Sequence, residues 1–182
     1  KARDVLERAL PIDEREHGKE STNVAVVLNN LGNAYGKLGD RTKQRDMQER
    51  ALAIQERAYG SDHPSVAITL GNLGTAYGYL CDQAKARDVL ERALAINERA
   101  YGRDHAQVAI TLNNLGTAYC CLGDQAKARD MLERAHVINE QAYGRGHMEV
   151  AETLINPEDA CDEEMQLALA LSLSEAEAAT AL

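Results

Sequence analysis

The chain has no tryptophan and no phenylalanine, and seven tyrosines are its only large aromatics in 182 residues. A core anchored on indole or phenyl rings is therefore excluded, and leucine, alanine, valine and isoleucine must fill it. Only three prolines interrupt the sequence, which leaves long stretches open to helix, the state that alanine and leucine favour. No apolar run reaches membrane length, and no signal-peptide pattern is visible. Basic residues are in short supply: 20 Lys and Arg against 29 Asp and Glu give a net charge of −9. That balance argues against nucleic acid and against an anionic membrane surface as partners. The four cysteines, Cys81, Cys120, Cys121 and Cys161, form no C-x-x-C pair, and the neighbours 120 and 121 make a poor disulfide. A reducing, cytoplasmic compartment is expected.

What the sequence does have is self-similarity at an offset of 42. Residues 42–83 and 84–125 are identical at 30 of 42 positions, and Lys1–Leu10 recurs unchanged at 85–94. A period of this size implies stacked supersecondary units. Each unit holds two stretches of helical period. Val66, Leu70, Leu73, Tyr77 and Leu80 recur at steps of three or four, as do Ala86, Val89, Leu90, Ala93, Ile96 and Ala100. Gly39-Asp40 and Gly123-Asp124 separate the first helix from the second. Tyr-Gly at 59–60, 101–102 and 143–144 closes the second helix, with glycine suited to a left-handed C-cap. Asp62-His63-Pro64 restarts the chain, with Pro64 near the first helical position. The unit is an antiparallel helix pair, since the β-branched or aromatic alternation of a propeller blade is missing.

Leu31-Gly32-x-x-Tyr35, Leu73-Gly74-x-x-Tyr77 and Leu115-Gly116-x-x-Tyr119 resemble the first-helix signature of tetratricopeptide repeats, and Ala86, Ala93, Ala128 and Ala135 match the small residues of the second helix. These matches decide against HEAT-type repeats of similar length. The longer pattern at 51–74 is similar to the repeats of kinesin light chain and nephrocystin-type proteins. The resemblance covers residues 1–156 and implies an all-α, right-handed solenoid of antiparallel hairpins. It predicts a lone helix at 1–17, hairpins at 23–58, 64–100 and 106–142, and a helix stub at 148–155. Pro11 should kink or fray the opening helix. Cys81, standing where other units carry turn glycine, should be strained. The chain starts inside a repeat and without Met, so a piece of a longer protein is expected.

By the geometry of that family, the first helices line a concave groove. Its exposed positions are Val26, Asn29, Asn30, Asn33 and Lys37, then Ile68, Gly71, Asn72, Thr75 and Tyr79, then Ile110, Asn113, Asn114, Thr117 and Cys121. Such a groove is neutral and rich in amides. Asparagine donates and accepts, so it can pair with the backbone of an extended peptide from a partner protein. The alternative is that these amides only solvate an exposed face. Lys37 is the only cation among these positions, too few for a carboxylate clamp. His63, His105 and His147 recur in different loops, where capping is expected rather than metal binding. No Ser-His-Asp, Cys-His or paired-carboxylate arrangement stands out, so neither catalysis nor a cofactor is expected.

The periodicity ends at Pro157. From there to Leu182 the chain has seven Asp and Glu and no Lys or Arg. A helix at about 160–179 is expected, with acids at its N-terminal end. Glu163 and Glu164 precede Met165, Ala168, Ser172 and Glu175, a pattern that resembles a ubiquitin-interacting motif. The pattern fits again two residues on, at Leu167, Ala170, Ser174 and Glu177, which lie on nearly the opposite helix face. The resemblance implies a double-sided motif able to hold ubiquitin weakly on each face. The competing reading is a helix that only caps the solenoid, leaving a cargo adaptor without ubiquitin binding.

Overall fold

The computed structural model describes residues 1–143, and the fold is given for these alone. They form seven α-helices and no strand: α1 Ala2–His17, α2 Thr22–Lys37, α3 Arg41–Tyr59, α4 Pro64–Tyr79, α5 Gln83–Tyr101, α6 Ala106–Cys121 and α7 Gln125–Tyr143. Each helix packs on the next in chain order, and α2 touches α4 as α4 touches α6. The result is an all-α solenoid of hairpins. No helix among the described residues is long and apolar enough to cross a membrane.

The helix boundaries follow from local chemistry. Asp40, Asp82 and Asp124 accept from the backbone N–H groups of Lys43, Lys85 and Lys127 and so start α3, α5 and α7. Those bonds hold the carboxyls below the usual range: the backbone bond dominates at Asp40 and Asp124, and the Lys85 side chain at Asp82. His63 and His105 cap α4 and α6 through Nδ1. Gly60 and Gly102 close α3 and α5 at φ 86° and 88°. Cys81, at φ 59°, is the only non-glycine residue at positive φ among the described residues. The strain expected there is real, on the order of 1–2 kcal/mol for an L-residue. At Pro11 the expectation of fraying does not hold: α1 runs unbroken from Ala2 to His17.

Each hairpin closes around a small aliphatic core. Val66, Ala67 and Leu70 of α4 meet Ala93 and Ile96 of α5, and the same positions recur in the hairpins before and after. The first hairpin differs in one respect. Gln44 and Gln48 are buried where the later hairpins have Ala86 and Leu90, then Ala128 and Leu132. Gln48 Nε2 donates to Asn33 Oδ1 at 2.9 Å. Its Oε1 is buried without a partner.

Polar ladders tie each repeat to the next. The hydroxyls of Tyr35, Tyr77 and Tyr119 donate to Glu7, Glu49 and Glu91 of the preceding second helix. Arg50, Arg92 and Arg134 pair with Glu14, Glu56 and Glu98 at 2.5, 2.6 and 2.6 Å. Inside the stack, Thr69 donates to Gln55 at 2.6 Å and Asn97 to Thr111 at 3.0 Å.

Burial first, and then the bond to the neighbouring glutamate, pushes Tyr77 and Tyr119 up to about 12. Their folded values lie above the free value of about 10. The stability they contribute is therefore complete below about pH 10 and lost as pH rises through about 12. Replacing Tyr77 and Tyr119 by phenylalanine should flatten the fall in urea midpoint across that window. A double variant with the wild-type alkaline slope would refute this.

Candidate functional site

The outward face of the first helices carries four rows of side chains, one member per repeat. Val26, Ile68 and Ile110 form an aliphatic row, 55%, 51% and 52% exposed. One turn on, Asn30, Asn72 and Asn114 form an amide row. None of these three side chains makes a hydrogen bond with another described residue. A further turn brings Asn33, Thr75 and Thr117. Asn33 accepts from Gln48, and the two threonine hydroxyls donate to the carbonyls of Gly71 and Asn113 at 3.2 Å. Last come Lys37, Tyr79 and Cys121. The i, i+4, i+7, i+11 spacing keeps all four rows on one face of each helix.

Not every residue expected in the groove faces outward. Asn29 Nδ2 donates to Thr69 Oγ1 at 2.5 Å, which turns the amide between α2 and α4, and its Oδ1 is buried. Asn113 Oδ1 is buried as well. The oxygens of these two amides turn inward; Asn30, Asn72 and Asn114 stand on the outward face. The difference is one of helical phase: a 100° step moves a side chain from the open face to the flank.

One residue that sequence reasoning missed is Arg41. Its guanidinium lies 3.7 Å above the Tyr79 ring, and its Nη1 donates to Gln44 Oε1 at 3.0 Å. Arg41 thereby reaches the last row at Tyr79, while the later repeats have Gln83 and Gln125 at its position. Comparing the repeats column by column could have found it. The rows on α4 and α6 are uncharged.

Other places carry no chemistry of their own. His63 and His105 stack on Tyr59 and Tyr101, with centroids 4.6 and 4.9 Å apart, and use Nδ1 for capping. Among the described residues no cluster of three or more His, Cys, Asp or Glu is placed to hold a metal ion. A cleft of about 230 Å³ between α5, α6 and α7 is lined by Glu91, Glu98 and Tyr119, which are already engaged in the ladders. The helix stub expected at 148–155, His147 and the positions from Glu163 to Glu177 expected to bind ubiquitin lie outside the described residues.

Hairpins of this construction match the model of the tetratricopeptide repeat over residues 37–99 and 84–140. The chain belongs to the tetratricopeptide repeat family. Among solved structures, BtubC (BKLC) from P. vanneervenii is 31% identical with a TM-score of 0.70, over 80% of this chain and 57% of that one. The tetratricopeptide array thus spans little more than half the length of that relative. A Podosopora anserina kinesin light chain structure of nearly identical TPR-like repeats has a TM-score of 0.74 at 22% identity, over 98% and 86% of the two chains. MamA follows at 0.58 and 18%, over 98% and 89%, a likeness of fold alone. No curated protein matches the array.

Proposed function

We propose that this tetratricopeptide array is a protein-binding scaffold that holds an extended peptide of a partner across α2, α4 and α6. One observation carries the reading. Three amides with no hydrogen-bond partner among the described residues, Asn30, Asn72 and Asn114, stand beside three exposed aliphatic side chains. Such a face offers backbone hydrogen bonds and apolar contact together. Asn33, Lys37, Thr75, Tyr79 and Thr117 border it. Peptides selected from a display library on this array provide the test. Asn30→Ala, Asn72→Ala and Asn114→Ala together should weaken them at least ten-fold, at roughly 1 kcal/mol for each bond, with the melting temperature unchanged. Full affinity in the triple variant would sink the reading.

The acidic tail adds a second part to the proposal, supported by sequence alone. Met165, Ala168, Ser172 and Glu175, with the second set Leu167, Ala170, Ser174 and Glu177, would read ubiquitin, each face weakly. A small interface gives low affinity, and paired sites would gain through avidity. Titrating ubiquitin into labelled protein should shift the resonances of residues 162–177, and Ala168→Asp with Ala170→Asp should abolish the shifts. No change at millimolar ubiquitin leaves only the capping role.

A further inference from the structure

Building on the groove reading, we infer that the ligand is taken up as a polyproline II chain with an apolar side chain at every third residue. The argument is one of spacing and of free backbone groups. The rows present one aliphatic side chain and one amide per first helix. Asn29 of α2 bonds Thr69 of α4 directly at 2.5 Å, so these helices are immediate neighbours, and packed helices lie roughly 8–10 Å apart. A chain crossing them meets the same pair of groups once in each such step.

Polyproline II rises about 3.1 Å per residue with three residues per turn, so one side of it returns every 9.3 Å or so. That matches the rows. A β-strand returns to one side about every 6.7 Å and is out of step by the second helix. An α-helix returns after seven residues, about 10.5 Å, so length alone does not exclude it. Its backbone N–H and C=O groups are already bonded to one another, however, and the row of Asn30, Asn72 and Asn114 would face nothing it could use. A polyproline II backbone has no internal hydrogen bonds. Its carbonyls can accept from each asparagine while every third side chain rests on Val26, Ile68 or Ile110.

Charge fits the same ligand. The rows on α4 and α6 carry no charge, which suits a proline-rich, uncharged segment. Lys37 and Arg41 bar a cationic residue at the α2 end. A proline-rich chain is also pre-ordered, so little conformational freedom is lost when it binds.

Three labelled peptides with four leucines each separate the possibilities: twelve residues of Leu-Pro-Pro repeats, eight of Leu-Ser alternation, and twelve of a helical heptad pattern. Fluorescence anisotropy gives affinity, and the side-chain amide resonances of Asn30, Asn72 and Asn114 report the site. The period-three peptide should bind at least about ten-fold tighter than either control and shift all three amides. Asn72→Ala or Ile68→Asp, each on the middle helix α4, should remove the advantage. Equal or tighter binding of the alternating or heptad peptide at those amides overturns the inference and leaves the groove standing. If neither these peptides nor library-selected ones of any spacing move the amides, the inference and the groove reading fall together.

Discussion

Replacing Gln48 with leucine should raise the stability of the array by about 1–3 kcal/mol, the usual penalty of a buried polar group without a partner. Gln48 is fully buried, and its Oε1 has no hydrogen bond. The repeats supply their own control, because the same site holds Leu90 and Leu132 in the next two hairpins. Leucine is close to glutamine in volume, so no large cavity opens. The one bond lost is Gln48 Nε2 to Asn33 Oδ1, and exposed Asn33 can turn to water instead. Urea unfolding at constant m-value measures the gain directly. A less stable variant would show that the Gln48–Asn33 bond outweighs the orphaned oxygen.

Gly74→Ala should do the reverse, destabilising the array by about 1–2 kcal/mol, although alanine is ordinarily the better helix former by about 1 kcal/mol. A methyl group at Gly74 would sit 2.5 Å from Leu90 Cγ and 2.7 Å from Cδ2. Leu90 is itself fully buried and has no room to withdraw, so overpacking outweighs propensity. Three residues earlier, a methyl group at Gly71 meets nothing within 4 Å. Gly71→Ala should therefore stabilise by about 1 kcal/mol. Opposite signs from one substitution on one helix isolate the close approach as the cause. Thermal melts of the two variants side by side settle it, and two shifts in the same direction would remove steric contact as the explanation.

The fold class was legible because the information was repeated. Leu-Gly-x-x-Tyr recurs three times with apolar steps of three and four, and such redundancy suppresses the noise that blurs a single helix boundary. The turns were legible from glycine, aspartate and the Asp-His-Pro restart, and even the odd residue at Cys81 announced its strain. What stayed hidden depends on direction within a helix. Asn29 and Asn30 are neighbours in sequence, yet one bonds Thr69 and the other faces outward, and only the phase of α2 relative to α4 decides between them. Gln44 and Gln48 were not legible as buried groups, because a polar side chain reads as surface until the packing face of its helix is known. Arg41 was missed for a related reason: it lies at the start of a second helix and reaches Tyr79 across a repeat boundary.

The ladders have a genetic consequence. Every repeat offers Glu and Arg on one second helix and receives them with Tyr and Glu at equivalent places on its neighbours. The joining chemistry is the same at each junction. Excising residues 64–105 would bring Glu49 against Tyr119, Glu56 against Arg134 and Gln55 against Thr111, the same kinds of pair that the intact chain makes. Duplication or loss of a 42-residue segment therefore changes the length of the array without demanding a compensating substitution at the new junction.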